Sequence, residues 1–559
     1  MELKNAYLYM KTATKYGNNV FLFSIFLIEP ITSIWYPDAT FRIPYLYCLC
    51  GLLLIAFHLL HWQTKIYFSW IDILIFIPLV SNGNDIFKYH MEGQIGTFLI
   101  FYLLSKTATT ENRIANLLTI SGCFQVFLML AQFFDCLPSN HSIFPITGSF
   151  KNPGPLGGYL AISLIASIAN YTHMKKGWRE LSVLILLAGI IYSDSRATWI
   201  ATIFALSYMG MQYWKIHPAK QWSIALLLLL LTGIFSLTLY KTQSAKGRIE
   251  IWKICCTMIG EHPLTGFGFG GFQREYMNYQ THYIQQSPSS DNHRLLNNNR
   301  YAFNEFLHIT VEQGIIGLFS FLSILILLYI KYTKQHSVSF PCLITYILFS
   351  CFSYPNDIFL LFLFFALLLG KLSADTFLVI QIEKYPFTII AFTIIISLTG
   401  IIGNKWVNRE LIEKSFSRFF YRDDYKSLSY IQHRYSSIQY SSSFIFRYAR
   451  VLFLKREYQS AIPIIKQAIG LYPTTDKYCD LATCYLETGK YKEAENAFSD
   501  AIAMLPHHII PRYQLYLLYK KTGEKEKADH IANSIIRIKP KNDNEHIREI
   551  KNQLFKEAF

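Results

Sequence analysis

Long apolar stretches separated by short polar ones occupy the first 404 residues of the chain. Thirteen such stretches can be traced, at residues 17–36, 44–61, 67–83, 92–105, 114–134, 155–173, 181–193, 197–214, 222–240, 312–330, 338–353, 357–370 and 386–403. A helix needs about 20 mainly apolar residues to cross the hydrocarbon core of a bilayer. The pattern predicts an all-α, polytopic membrane region with about 12–13 transmembrane helices. The shorter stretches, such as 181–193, are candidates for distorted or re-entrant helices.

Lysine and arginine are distributed unevenly between alternate connections. With the N-terminus placed in the cytoplasm, the inner segments hold fifteen of these residues and the short outer loops hold four. Positive residues concentrate on the cytoplasmic side of membrane proteins, so the asymmetry supports both the orientation and the number of spans. The polar segment 241–305 and the region after residue 404 are then predicted to lie outside. The first apolar stretch is too long for a cleavable signal peptide and is expected to remain as an anchor.

The C-terminal region has many charges and apolar positions at helical spacing. An internal repeat of 33–34 residues is visible in the positions of alanine, proline and glycine, at Ala461, Ala494 and Ala528, at Pro473, Pro506 and Pro540, and at Gly489 and Gly523. This spacing resembles the tetratricopeptide repeat, in which two helices pack closely at the alanine and the chain turns at the glycine. Two repeats are clear, and a third near 445–473 has Arg456 at the glycine position.

The chain is therefore predicted to divide into a membrane domain, residues 1–404, and an α-helical repeat domain, residues 405–559. The repeats offer a concave surface on which a protein partner is expected to dock. A packing module that binds no ligand explains the same spacing, and the sequence leaves both interpretations open.

Composition excludes several classes of protein. Hydrophobic residues make up 52% of the chain and charged residues only 16%. So high an apolar content excludes intrinsic disorder, and the length of 559 residues argues against a single soluble domain. The formal net charge of +15 would suit a nucleic-acid partner. However, much of the positive charge follows the membrane topology, so no nucleic-acid partner is expected.

Three polar stretches on the predicted outer side carry candidate chemistry. Thr147–Pro155 forms a glycine- and proline-rich turn in which Lys151 and Asn152 offer hydrogen-bond donors. Ser193–Trp199 carries Arg196, whose planar guanidinium suits phosphate oxygens. Each has a structural alternative, since the first is also an ordinary loop before a helix and Arg196 could simply pair with Asp194.

The third stretch is the outer segment itself. It begins with Arg248 in the pattern GR-x3-W, continues through HPLTGFGFGGF, and ends in FNEFLHITVEQGIIG. The alternating glycine and phenylalanine permit a tight backbone bend. They do not form a dinucleotide-binding fingerprint, because no strand–helix unit surrounds them.

The order of these motifs resembles the O-antigen ligase superfamily. GSFKNP before a span, SDSRATW at a span junction, and the motifs of the outer segment cover about residues 140–330. The superfamily includes lipopolysaccharide O-antigen ligases, O-antigen polymerases and bacterial O-linked protein oligosaccharyltransferases, and some members carry C-terminal tetratricopeptide repeats. Each motif alone is weak, whereas four in the family's order are specific.

The resemblance implies a GT-C-like membrane glycosyltransferase of the bacterial inner membrane. Its donor would be a glycan on undecaprenyl diphosphate, presented on the periplasmic side and moved en bloc to an acceptor hydroxyl on a glycan, on lipid A-core or on a protein. No metal or other cofactor is expected. The family's two essential arginines match Arg196 and Arg248, and Lys151, Asn152 and Asn304 are expected to contact the donor diphosphate as well.

One departure from the family concerns the catalytic base. Many members have a His-Asn pair where this chain has Phe303-Asn304, so the role of that histidine cannot be transferred. Glu305 is adjacent and can accept a proton from an acceptor hydroxyl. His308 lies three positions further along the same helical face and is the second candidate.

Two other classes of function compete with the enzyme. A transporter or flippase of lipid-linked sugar would carry ionisable residues near the centres of its spans, whereas the charges here cluster at outer junctions. A membrane-anchored repeat scaffold would leave the pairing of Arg196 with Arg248 unexplained. The sequence favours the glycosyltransferase.

Overall fold

A computed structural model describes residues 2–35, 43–61, 65–81, 83–88, 91–108, 110–141, 143–215, 242–286, 291–332, 337–373, 378–381, 387–422, 425–439, 441–540 and 544–558. Over these residues the chain is almost entirely helical, with one two-stranded ribbon. This confirms the predicted all-α class.

The membrane region consists of helices that follow the predicted stretches. They are α1 (Glu2–Trp35), α2 (Ile43–His61), α3 (Trp70–Ser81), the short α4 (Gly83–Lys88), α5 (Glu92–Ala108), α6 (Glu111–Phe133), α7 (Pro153–Ala169), α8 (Lys176–Tyr192) and α9 (Arg196–Tyr213), and, further along the chain, the helices at Glu305–Tyr332, Ser339–Ser350, Phe359–Leu372 and Phe387–Arg422. Twelve of the thirteen stretches thus coincide with a helix. The remaining one, 222–240, lies outside the described residues.

Among the described residues, four helical segments are long and apolar enough to cross a membrane, namely Gly17–Ile34, Glu111–Phe133, Glu305–Tyr332 and Ile389–Phe416. Five further apolar helices are shorter, among them α3 with 12 residues. At 1.5 Å per residue such a helix is about 18 Å long, which is less than the thickness of the hydrocarbon core. The chain is therefore a multi-pass membrane protein in which several of the predicted spans are short helices.

Connections that the alternation places on one side of the membrane contact one another. Strands β1 (Lys65–Phe68) and β2 (Leu378–Gln381), both in connections predicted to lie inside, pair in antiparallel fashion. The Glu111 carboxylate, also predicted inside, accepts a hydrogen bond from the Ser337 hydroxyl at 2.9 Å. These contacts agree with the predicted alternation, while the orientation of the chain in the membrane stays a prediction.

The outer segment forms a small folded unit. It contains α10 (Thr242–Glu261), α11 (Gly271–Gln286) and a 3-10 turn at Asp291–Leu295. Their apolar faces share a core to which the following membrane helix and the repeats also contribute. Its buried members include Ile254, Cys255, Met258, Phe272, Tyr276, Met277, Val311 of the membrane helix and Met504 of the repeats. The segment is thus packed between the membrane region and the repeats.

The remaining membrane helices are α12 (Glu305–Tyr332), α13 (Ser339–Ser350), α14 (Phe359–Leu372) and α15 (Phe387–Arg422). Helix α15 runs without a break across the predicted domain boundary at 404/405. Ile402 belongs to the core of the membrane region, whereas Ile412 and Phe416 belong to the core of the repeats. A continuous helix therefore joins the two predicted domains.

The C-terminal region consists of short amphipathic helices. They are α16 (Tyr425–His433), α17 (Tyr435–Ile438), α18 (Ser442–Leu454), α19 (Tyr458–Leu471), α20 (Thr475–Glu487), α21 (Tyr491–Met504), α22 (Ile509–Thr522), α23 (Lys525–Arg537) and α24 (Glu545–Ala558). Ala461, Ala494 and Ala528 are all buried where helices approach closely. Helices α18 to α23 form three pairs, which confirms the predicted repeats.

The turn inside each pair adopts the same left-handed backbone conformation. The φ angle is 61° at Arg456, 74° at Gly489 and 80° at Gly523. An L residue with a side chain pays about 1–2 kcal/mol in this region of φ/ψ space, so glycine is favoured there. The shared geometry shows that the first pair is a true repeat with an unfavourable residue at its turn.

Replacing Arg456 with glycine is expected to stabilise the first repeat by about 0.5–1 kcal/mol, since it removes the left-handed strain at some cost in chain entropy. The Arg456 side chain is exposed, so few contacts are lost. Hydrogen exchange of α18 and α19 in the detergent-solubilised protein measures the effect. The Arg456→Ala variant keeps the strain and serves as the control, and an equal gain in both variants would contradict the explanation.

Candidate active site

A cavity of about 690 Å³ opens on the predicted outer side, where the membrane helices, the outer segment and the first repeat meet. This space is called the outer cavity. The polar residues of its wall include Glu29, Lys151, Asn152, Arg274, Arg300, Tyr301, Glu305, His308, Glu312, Tyr354, Asn356, Asp357 and Ser441–Ser443. Its apolar part comes from α3, α5, α12 and α14. Such a mixture of apolar surface and a few polar groups is typical of a ligand site.

A cluster of carboxylates around one histidine lies in this wall. Glu305, His308 and Glu312 are on the first turns of α12, where positions three and four apart share a face. His308 Nε2 is 3.3 Å from Glu312 Oε1, and His308 Nδ1 is 3.3 Å from Asp357 Oδ2. The imidazole is therefore held between two carboxylates at the edge of the cavity.

The two predicted catalytic residues differ in accessibility. Glu305 is only 3% exposed. Its Oε1 accepts a hydrogen bond from Asn356 Nδ2 at 2.8 Å, and its Oε2 accepts one from the Asn356 backbone amide at 3.4 Å. The side chain of Asp357 is 26% exposed and is also in contact with His308. Asp357 is thus more open to a ligand than Glu305.

Sequence reasoning missed both Asn356 and Asp357. They lie in a 3-10 turn, Pro355–Asp357, in the short link between α13 and α14. The signal that could have found them is an asparagine and an aspartate side by side where two strongly apolar stretches meet on the predicted outer side. Which helix the link would face could not be derived from the pattern.

The glycine-rich run of the outer segment holds the start of α12 in place. The amides of Phe267 and Gly268 donate to the carbonyls of Val311 and Glu312 at 2.9 and 2.8 Å. These carbonyls are available because α12 kinks at Gly314, whose φ is 64°. A Cβ at Gly314 would collide with the Leu264 carbonyl. The glycines therefore allow a backbone-to-backbone contact that positions the carboxylate cluster.

Arg196 and Arg248 lie within electrostatic range of each other although they are 52 positions apart in the sequence. Arg196 begins α9, and Arg248 is on α10. Burial, followed by the positive charge of Arg196, lowers the pKa of Arg248 to about 10. At neutral pH the guanidinium therefore stays protonated, and two cations are held close to each other.

Helix α7 places Arg196 through a close approach to the start of α9. Gly157 faces this start, and a Cβ there would collide with the Thr198 hydroxyl and crowd Ser195. Asn152 Oδ1 accepts a hydrogen bond from the Gly154 amide at 2.9 Å and so caps α7. The loop before α7 thus contributes to the position of the arginine pair through its helix.

An aromatic group connects the arginine pair to the outer cavity. The Arg248 guanidinium carbon lies 5.4 Å from the centre of the Phe303 ring. Phe303 packs edge-on against Tyr354, with ring centres 5.3 Å apart, and Tyr354 lines the cavity and stacks on Tyr301 at 3.9 Å. Trp252 Nε1 donates to the Ala302 carbonyl at 3.0 Å and anchors this stretch.

The five predicted diphosphate contacts therefore fall into three groups. Arg196 and Arg248 form the cationic pair, whereas Lys151 and Asn152 line the outer cavity with the carboxylates. Asn304 Oδ1 accepts a hydrogen bond from the Leu307 amide at 3.1 Å and caps α12. Both asparagines thus have a structural role, and a role in binding the donor stays a prediction for all five.

The repeats dock on the asparagine-rich tip of the outer segment. Asn298 Nδ2 donates to the Thr475 hydroxyl at 3.0 Å, and the Tyr472 hydroxyl donates to the Asn298 carbonyl at 3.3 Å. The cavity wall also receives Ser441–Ser443 and Leu471 from the first repeat. The repeats are therefore part of the cavity wall as well as a candidate docking surface.

Two segments of the chain match known protein families. Residues 181–322 match the family described as O-antigen ligase, a range that includes Arg196, Arg248, Glu305 and His308. Residues 422–501 match the family described as anaphase-promoting complex, cyclosome, subunit 3, a tetratricopeptide-like repeat. The two matches confirm the resemblance to the O-antigen ligase superfamily and the C-terminal repeats. No curated protein matches the chain.

Proposed function

We propose that this protein is a membrane glycosyltransferase that moves a glycan from undecaprenyl diphosphate to an acceptor hydroxyl on the periplasmic face. The match of residues 181–322 supports glycosyl transfer of the O-antigen ligase or polymerase type. The observation that carries the finer proposal is the convergence of Arg196 and Arg248 beside a cavity that holds a carboxylate–histidine cluster.

The arginine pair suits a diphosphate leaving group. Two cations close to each other repel, and a bound anion relieves that repulsion. Within the described part of the chain no carboxylate forms an ion pair with Arg248, whose neighbours include the Phe303 ring, Tyr354 and Arg196. When the bond between the sugar carbon and the phosphate oxygen breaks, negative charge grows on that oxygen, and fixed guanidinium groups stabilise it.

The proton of the acceptor hydroxyl needs a base on the opposite side of the sugar carbon. We assign this role to Asp357, which is exposed to the cavity and held by His308. Glu312 contacts the other side of the imidazole. The Glu312 carboxylate in turn accepts a hydrogen bond from the Phe272 amide at 3.3 Å. Glu305, whose two oxygens are engaged by Asn356, keeps the turn that carries Asp357 in place and is the alternative base.

The transfer then balances without any further reactant. The acceptor oxygen forms a bond to the first sugar carbon, and its proton passes to the carboxylate. The sugar–phosphate bond breaks, and undecaprenyl diphosphate leaves with the electron pair. The family expectation of chemistry without a metal stays a prediction.

Transfer to lipid A-core, to a growing glycan and to a protein would share this donor site, so the acceptor is decided by experiment. We expect deletion of the gene to remove one envelope product, namely glycan on lipid A-core, long glycan chains or glycoprotein. The purified protein should also release undecaprenyl diphosphate from lipid-linked glycan extracted from the same cells. Passage of intact donor across proteoliposomes without cleavage would contradict transfer and favour the flippase.

A further inference from the structure

The membrane side of the outer cavity contains an acidic side chain that the proposed reaction does not use. Glu29 on α1 is 8% exposed and lines the cavity. Its Oε2 atom has no hydrogen-bond partner in the described part of the protein. A buried carboxylate oxygen without a partner costs free energy, and an ionisable side chain at membrane depth that faces a cavity usually serves a function.

From this side chain we infer a binding subsite for the hydroxyl groups of the donor glycan, built from Glu29, Lys151 and Asn152. It is separate from the diphosphate site at Arg196 and Arg248. The inference rests on the proposed function, because it assigns a part of the donor to each of the two sites. It also moves Lys151 and Asn152 from the predicted diphosphate contacts to the sugar contacts.

The neighbours of Glu29 form one wall. Lys151 is a charged neighbour of Glu29, and both residues line the cavity. The Ser33 hydroxyl, one helical turn after Glu29, donates to the Ser149 carbonyl at 3.2 Å, and Asn140 Nδ2 donates to the same carbonyl at 3.0 Å. These bonds tie the loop that carries Lys151 and Asn152 to the helix that carries Glu29.

The chemistry of this wall fits hydroxyl groups better than phosphate. The Glu29 carboxyl exchanges hydrogen bonds with hydroxyls and offers no positive charge to a phosphate, whereas an ammonium and an amide donate to hydroxyl oxygens. Asn152 uses its Oδ1 to cap α7, which leaves its amide nitrogen to donate. Acceptor and donors side by side suit a polyhydroxylated ligand, and the diphosphate is better served by the two arginines.

An apolar surface completes the subsite. Phe98 and Phe362 both line the cavity and stack on each other with ring centres 4.4 Å apart. Sites for small ligands typically combine such aromatic surface with a few placed polar groups. A sugar ring has an apolar face as well as hydroxyl edges, and this cavity offers a partner for each.

The test measures binding of two probes to the full-length protein in detergent. One probe is lipid-linked glycan extracted from the source cells, and the other is undecaprenyl diphosphate without sugar. Replacing Glu29 with alanine should weaken binding of the glycosylated probe by about 10- to 100-fold, since the hydrogen bonds between the Glu29 carboxyl and the sugar hydroxyls are lost. Binding of the sugar-free probe should stay unchanged. The melting temperature should not fall, because Glu29 Oε2 has no partner to lose.

The Glu92→Ala variant is the matched control. Glu92 is also a buried carboxylate in a membrane helix, but it accepts hydrogen bonds from Tyr45 and Lys405. Its removal should lower the melting temperature and leave the ratio of the two affinities unchanged. A structural role for Glu29 would give the same result as this control.

The outcomes separate the subsite from the proposed function. Equal loss of both probes in Glu29→Ala, or full binding of the glycosylated probe, would overturn the subsite while leaving the glycosyltransferase in place. If neither probe bound the unaltered protein, the proposed function would fail and the subsite with it. Selective loss of the glycosylated probe, with no fall in melting temperature, is the result that supports the inference.

Discussion

Alanine at Arg196 or at Arg248 is expected to slow glycan transfer by about 10²–10³-fold, which corresponds to about 2.7–4 kcal/mol of lost transition-state stabilisation. In the proposed reaction, both guanidinium groups stabilise the charge that grows on the leaving diphosphate. The lysine variants should fail nearly as badly, because a point charge does not reproduce the planar fork that positions phosphate oxygens. The measurement is the initial rate of transfer in purified protein with lipid-linked glycan as donor.

A matched control separates this effect from general loss of positive charge. Arg179 lies at the start of α8, on the side predicted to be inside, where its guanidinium is 3.2 Å from Glu180 and stacks on Tyr171. The Arg179→Ala variant should keep nearly the full rate. Normal transfer in both Arg196→Ala and Arg248→Ala, at normal protein level, would remove the diphosphate role from the pair.

Replacement of Asp357 by asparagine is expected to slow transfer by about 10²–10⁴-fold, the usual contribution of a positioned acid or base. Asparagine keeps the size of the side chain and cannot take up the proton. His308→Gln should show a similar loss, because the carboxylate then loses the imidazole that holds it. Binding of sugar-free undecaprenyl diphosphate should be unchanged in both variants, since the arginine pair is intact.

Glu305→Gln distinguishes the two candidate bases. If Glu305 only holds Asn356, the glutamine variant should lose much less activity than Asp357→Asn, because an amide oxygen still accepts the bond from Asn356 Nδ2. The opposite order, with Asp357→Asn near the normal rate and Glu305→Gln inactive, would return the base to Glu305. Either outcome keeps the carboxylate cluster and changes only which member takes the proton.

Much of the architecture could be predicted because its causes are local in the sequence. A bilayer requires apolar stretches of a given length, so twelve predicted spans coincide with helices. The repeat spacing likewise reflects one helix pair after another, and Arg456 adopts the glycine conformation at the predicted position. The family motifs indicated Arg196 and Arg248, which lie within electrostatic range of each other, and their role at a diphosphate stays a prediction.

Other features depended on how the helices pack, and periodicity contains no information about that. Asp357 meets His308 only because the link between α13 and α14 folds over the start of α12. Glu29 faces Lys151 only because α1 lies against the loop before α7. The same holds for the repeats, whose contact with Asn298 gives the outer cavity one of its walls.

The sequence alone thus determined the membrane region, the repeats and the resemblance to the O-antigen ligase superfamily. Each depends on a pattern along the chain, namely hydrophobic length, repeat spacing and motif order. Only the tertiary structure decided which polar side chains share a cavity. It separated the arginine pair from Lys151 and Asn152, and it showed that Asn152 and Asn304 cap helices. The physical reason is that a side chain's partners are set by distances in space, which close packing of distant segments creates.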